Sequence, residues 1–342
     1  LDGHEHPAQR RTVNSLPLVD VSPLLDPDAS SASCAGVGRE IDAACRDTGF
    51  LLVTGHGVDR ALREDLERLS REFFALPDAT KAQIAMARGG LAWRGWFPVG
   101  GELTSGRPDR KEGVYFGTEL PPTDPRVTAG TPLHGPNLFP AEPPGLGPTV
   151  LRWIVEVAAL GQSLLGGIAL GLGLGRDWFA QHLTADPTVL FRVFHYPPGD
   201  SESWGVGEHT DYGLITLLAQ DHHGGLQVRS RGTWIDVPAD PHVFVVNIGD
   251  MLERMTRGGY RSNPHRVRNL SGADRLSFPL FLDPSWDATV TPLPETVFRD
   301  LPADDGAHRW DGQSVHAWEG VYGDYLTAKV ARVFPDLAAA LR

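Results

Sequence analysis

Val189-Leu190-Phe191-Arg192-Val193-Phe194-His195-Tyr196 is an alternating run rich in β-branched and aromatic residues. In an extended chain every second side chain points to the same face, so Leu190, Arg192, Phe194 and Tyr196 share one side. Short runs of the same kind follow: Leu214 to Ala219, Leu226 to Val228, Trp234 to Val237, Val243 to Ile248, His265 to Asn269 and Leu276 to Leu282. Glycine pairs and turn-forming residues separate them. Short strands at this rhythm predict a sandwich or barrel, and a double-stranded β-helix, or jelly roll, is the natural arrangement.

Upstream, the pattern is helical and loop-like. Leu16 to Val21 reads as a short strand and Cys34 to Thr48 as a helix. Gly49 to Val58 is a strand closed by a Gly-rich turn, in which His56 reads as a turn or core histidine. Asp59 to Leu76 carries Leu62, Leu66, Leu69 and Phe73 as a helical stripe. Pro77 fits the start of another helix, Asp78 to Ala87. Leu91 to Gly117 mixes aromatics with glycine and proline, and Pro121 to Pro148 reads as loop.

The most apolar run, Leu151 to Leu174, is interrupted by Arg152, Glu156 and Gln162. It reads as a buried helix packed on a sheet, not a membrane span. Shorter helices are expected near Asp177 to Leu183 and from Val321 to Phe334. The predicted class is mixed α/β of the α+β type. Residues 1–150 form an N-terminal helical and loop region, 151–290 a packing helix and jelly-roll core, and 291–342 a C-terminal helical segment over that core.

Chemistry concentrates in Trp204-Gly205-Val206-Gly207-Glu208-His209-Thr210-Asp211-Tyr212-Gly213. His209 and Asp211 stand two apart, so an extended backbone aims both at one point. His265, in Asn263-Pro264-His265-Arg266-Val267, is the candidate third ligand. Two histidines and one carboxylate with open positions opposite suit Fe(II) oxygen chemistry. Zinc or manganese in a cupin-like hydrolase or isomerase is the alternative on the same three residues. A non-catalytic binding protein is a further one. Beyond His265, Arg275 and Ser277 share a strand face. Arginine's planar fork and a hydroxyl together match a carboxylate.

The chain has 342 residues, 41% of them apolar, and a net charge of −12. That charge gives no general attraction to nucleic acid. Arg254, Arg257, Arg261, Arg266 and Arg268 form a local basic run, read as solvated surface. Cys34 and Cys45 are the only cysteines, which excludes a disulfide framework and fits a reducing, cytoplasmic setting. His4 and His6 lie in a polar leading stretch that reads as a tail without a signal peptide.

The combination of H-x-D, Asn-Pro-His-Arg-Val and R-x-S-F-P resembles the 2-oxoglutarate/Fe(II)-dependent oxygenases. More narrowly it resembles the isopenicillin N synthase-like branch, which includes flavonoid and plant-hormone oxygenases. The resemblance covers most of the chain. It extends to Gly49-Phe50, Gly55-His56-Gly57-Val58, Tyr196-Pro197-Pro198, Gly224-Gly225-Leu226-Gln227-Val228, Asn247-Ile248-Gly249-Asp250 and Gly323-Asp324-Tyr325-Leu326.

This resemblance implies His209, Asp211 and His265 as iron ligands and Arg275 and Ser277 as the 2-oxoglutarate clamp. Tyr196 is implied as a further co-substrate contact. Phe194 stands where several members carry an asparagine near the co-substrate. Asp211 excludes the halogenating variant, which replaces the carboxylate to admit chloride. The implied reaction couples decarboxylation of 2-oxoglutarate, with O2, to hydroxylation, desaturation or ring closure of a small molecule, releasing succinate and CO2. The expected substrate contacts are Arg94, Trp96, Phe97 and Trp204. The first three lie in the densest aromatic cluster, and Trp204 lies just before the metal motif.

Overall fold

The computed structural model describes residues 15–198, 204–294, 314–334 and 339. His4 and His6, residues 295–313 and most of the chain after Phe334 lie outside them.

The chain starts with β1 (Leu18–Asp20), α1 (Ser22–Leu25), α2 (Ser31–Asp47), β2 (Phe50–Thr54) and α3 (Arg60–Phe74). Ser30 caps α2 by accepting from the Ser33 N–H, and Asp59 caps α3 by accepting from the Ala61 N–H. The stripe of Leu62, Leu66, Leu69 and Phe73 is buried. α4 (Asp78–Lys81) is shorter than predicted. Ala85 is extended and bridges Trp96, so the helix gives way to 3-10 turns.

The glycine-rich aromatic stretch contains β3 (Gly95–Phe97) and β4 (Glu112–Gly117). All six β4 residues are buried, so the strand lacks the alternation that marks a half-exposed one. The Pro-rich loop carries only the short α5 (Pro125–Thr128).

α6 (Leu146–Gly171) is the long apolar helix. By length and composition it is the one described helix able to cross a membrane, but it packs against α2 and α3. A side chain at Gly171 would meet the Gly38 carbonyl at 2.5 Å, so only glycines permit this α2–α6 contact.

After α7 (Trp178–His182) come β5 (Pro187–Tyr196), β6 (Val206–His209), β7 (Ile215–Gln220), β8 (Leu226–Ser230), β9 (Thr233–Asp236) and β10 (Phe244–Ile248). Then follow α8 (Asp250–Met255), β11 (His265–Val267), β12 (Arg275–Ser285) and α9 (Tyr322–Val333).

Two sheets build the double-stranded β-helix. The larger has the order β1-β2-β10-β7-β12-β5-β4-β3, and the smaller has β6-β11-β8-β9. β2 hydrogen-bonds to β10 and β4 to β5, so N-terminal strands extend the core sheet on both sides. Register fixes what faces inward: Arg275 lies opposite Tyr196, Ser277 opposite Phe194, and Thr216 opposite both Phe281 and Asn247. These positions line a cavity between the sheets, closed on one side by Leu326, Val330 and Val333 of α9.

Candidate active site

β6 ends at His209 and β11 begins at His265, and the two residues are antiparallel partners. Their ring centroids are 4.2 Å apart. Asp211 Oδ1 lies 3.9 Å from His209 Nε2 and 3.8 Å from His265 Nε2. The carboxylate's other oxygen accepts from Thr216 Oγ1 at 2.6 Å and Asn247 Nδ2 at 2.7 Å. His209 Nδ1 faces the Gly207 carbonyl at 2.8 Å, which favours a proton there and a lone pair on Nε2. One donor atom from each residue lies within 4.8 Å of the others.

Electrostatics suits these groups to metal ligation. Burial lowers the His209 pKa, and burial together with the neighbouring His209 brings His265 down to about 4. Both imidazoles are therefore neutral near pH 7, as metal ligation requires. Burial opposes charge on Asp211. The two histidines and the hydrogen bonds from Asn247 and Thr216 outweigh it and hold the carboxyl below its usual range. The donor set fits a divalent metal with open positions.

At the other end of the inner face, Arg275 is fully buried. Nε donates to the Gly224 carbonyl at 3.1 Å and Nη2 to Gln220 Oε1 at 3.2 Å, while Nη1 has no partner among the described residues. The guanidinium lies over the Tyr196 ring at 4.7 Å, and Tyr196 and Ser277 share a hydroxyl contact of 3.2 Å. An orphaned buried guanidinium N–H beside two hydroxyls fits a carboxylate of 2-oxoglutarate.

The cavity holds charged groups that sequence reasoning missed: Glu102, Lys111 and Asp283. Asp283 was accessible from alternation, because Arg275, Ser277, Pro279, Phe281 and Asp283 all line the cavity from β12. Its carboxyl accepts from Tyr322 Oη at 2.5 Å, and its Oδ1 occupies the space a side chain at Gly213 would need. Burial and the nearby Asp211 push its pKa up to about 7. Phe194 also lines the cavity.

None of the four expected substrate contacts is among the residues that line this cavity. Arg94 is buried over Gly117 and donates to the Leu133 carbonyl at 2.9 Å. Trp96 donates from Nε1 to Glu112 at 2.8 Å. Phe97 packs behind the wall against Tyr115 and Phe334. Trp204 stacks with Arg266 and Arg268, at 4.3 and 3.8 Å.

The basic run is likewise not simply solvated. Arg254 is buried and binds the carbonyls of Val290, Val315 and His316, while Arg266 and Arg268 hold Trp204.

A jelly roll that offers two histidines and one aspartate, with open positions beside a buried arginine, defines a mononuclear non-haem iron oxygenase. Residues 187–284 match the model of the 2OG-Fe(II) oxygenase superfamily. Residues 16–142 match that of the non-haem dioxygenase in morphine synthesis N-terminal region. A Dictyostelium discoideum protein named "Probable iron/ascorbate oxidoreductase" is 44% identical, over 95% of this chain and 96% of its own. A 1-aminocyclopropane-1-carboxylate oxidase of the same organism is 36% identical over the same shares. A full-length Neurospora crassa protein, solved in complex with alpha-KG and thymine, superposes with a TM-score of 0.75 at 28% identity, covering 95% of this chain and 96% of that one.

The chain belongs to the 2-oxoglutarate–Fe(II) oxygenase family. It is a 2-oxoglutarate-dependent non-haem iron dioxygenase that uses Fe(II), 2-oxoglutarate and O2 on a small-molecule substrate. The cupin-like hydrolase or isomerase reading finds no support in these relatives.

Proposed function

We propose that His209, Asp211 and His265 hold the Fe(II), and that Arg275, Ser277 and Tyr196 hold the far carboxylate of 2-oxoglutarate. The observation that carries this reading is the division of labour in Asp211. One oxygen is satisfied by Thr216 and Asn247, and the other is turned toward both imidazoles. When bound, the iron supplies O2 activation coupled to decarboxylation of 2-oxoglutarate, which C–H oxidation of the substrate requires.

The chain's own residues prepare that chemistry. Burial keeps the imidazoles neutral, so their lone pairs are available. Arg275 Nη1 and the two hydroxyls fix the co-substrate's orientation. Leu326, Val330 and Val333 of α9 cover the cavity and limit water. Hydroxylation is the default outcome, with desaturation or ring closure as variants. The net charge of −12 supports a small-molecule partner over a nucleic acid.

A succinate-release screen over small-molecule classes tests the reading. Slow succinate formation is expected with Fe(II), 2-oxoglutarate and O2, accelerated by a true substrate and abolished in His209→Ala, Asp211→Ala and His265→Ala. Near-normal turnover in any of these variants would remove that residue from the ligand set.

A further inference from the structure

Arg192 is a half-buried cation in the cavity wall whose Nε is buried without a hydrogen-bond acceptor. It projects from β5 into the cavity, between Leu190 and Phe194 on the same face. Tyr115 covers its guanidinium at 3.8 Å and Phe281 at 4.9 Å. With aromatic rings against it, the group donates through its in-plane edge. Guanidinium carries five N–H donors. Among the described residues its only hydrogen bond is from Nη1 to Tyr115 Oη at 2.7 Å, and the buried Nε has none.

The surrounding acids offset its charge but make no hydrogen bond to it among the described residues. Glu102 is the nearest, with Oε1 3.7 Å from Arg192 Nη1. That oxygen already accepts from Tyr115, and Oε2 pairs with Lys111 at 2.8 Å. Lys111 also binds Asp109; the two carboxylates exceed Lys111 by one charge, which Arg192 offsets at 3.7 Å without a hydrogen bond to either acid. Asp283 Oδ2 accepts from Tyr322, and its Oδ1 is turned against Gly213. Burying the Nε–H without an acceptor is costly, and it faces a cavity through which one could arrive.

Register separates Arg192 from the co-substrate clamp. Phe191 lies opposite Leu280 and Phe194 opposite Ser277, which sets Arg192 level with Pro279. Arg275 is four positions further along β12, roughly 13 Å at the rise of an extended strand. The cavity thus presents two arginines on one inner face, near different ends.

We infer that Arg192 anchors the substrate, its Nε–Nη2 edge taking a carboxylate, so that the substrate is a small organic acid. A planar carboxylate matches the fork bidentately. The apolar wall of Leu190, Phe194 and Phe281 then receives the acid's hydrocarbon part. This inference rests on the proposed iron and 2-oxoglutarate assignments.

The test uses the protein loaded with Fe(II) and 2-oxoglutarate without O2, followed by its weak visible absorption band. Monocarboxylic acids from butyrate to phenylbutyrate are titrated beside their methyl esters. Acids are expected to perturb the band saturably, with esters weaker by about tenfold or more, the loss expected for a charged hydrogen-bonded pair. Arg192→Gln should remove that acid-over-ester preference, and Arg192→Lys should restore only part of it. No band in the wild type overturns the iron and co-substrate assignments, and this inference with them. A normal band that no acid perturbs, equal responses to acids and esters, or an unchanged preference in Arg192→Gln overturns the inference alone. Loss of the band in Arg192→Gln would move Arg192 to the co-substrate site, with the same consequence.

Discussion

Asn247 Nδ2 donates to Asp211 Oδ2 at 2.7 Å, and so turns the aspartate's other oxygen toward His209 and His265. Asn247 lies on β10 and stands directly opposite Thr216 of β7, which donates to the same oxygen. The larger sheet therefore orients a carboxylate carried just beyond the end of a strand in the smaller one.

Removing that support should weaken the metal before it harms the fold. Hydrogen bonds to a ligand's outer atoms typically set about 10–100-fold of metal affinity. Asn247→Leu and Thr216→Val are each expected to lower Fe(II) affinity by roughly that factor. Competition titration against a chelator measures it. Wild-type affinity in both variants would show that the two bonds are incidental.

Arg275→Lys keeps the charge but loses the planar fork and the orphaned Nη1. The apparent 2-oxoglutarate requirement should rise by at least about tenfold, on the scale of one lost charged hydrogen bond, while Fe(II) affinity changes little. An unchanged requirement would place the clamp elsewhere.

Asp283 predicts a pH dependence. Burial, then the nearby Asp211, raises its folded pKa to about 7, above an unfolded value of about 3.9. Between those values the unfolded chain has released a proton that the native carboxyl retains. This group's contribution to stability is therefore present below about pH 4 and lost as pH rises through about 7. Asp283→Asn carries no such proton. Its urea midpoint relative to wild type should improve between about pH 5 and about pH 8. A pH-independent difference would mean that Asp283 ionises normally.

Trp96 should behave as a packing residue. It is buried, and its indole N–H is held by Glu112. Trp96→Ala is expected to cost about 3–5 kcal/mol of stability. Coupled and substrate-independent 2-oxoglutarate turnover should fall together as the melting temperature drops. Selective loss of coupled turnover at unchanged stability would return Trp96 to the substrate pocket.

The site was legible where its residues obey period two. His209 and Asp211 stand two apart, as do Arg275 and Ser277, and an extended backbone converts that spacing directly into a shared target. The same rule, carried on along β12, reaches Asp283, and along β5 it reaches Arg192. Other elements hid for physical reasons. α8 is only six residues long, and its polar side chains Asp250, Glu253 and Arg254 are buried along with the apolar ones, so exposure does not mark out its period. β4 is buried on both sides for the same reason. The pairing of Trp204 with Arg266 and Arg268, which follow His265 in sequence, has no signature in local spacing.

The most direct measurement is the visible spectrum after anaerobic addition of Fe(II) and 2-oxoglutarate to the wild type and to Asp211→Ala. A weak band that requires both additions and disappears in Asp211→Ala is expected, with the far-UV circular dichroism of the two proteins alike. A band of full strength in Asp211→Ala, or none in the wild type, would contradict the assignment of Asp211 as an iron ligand.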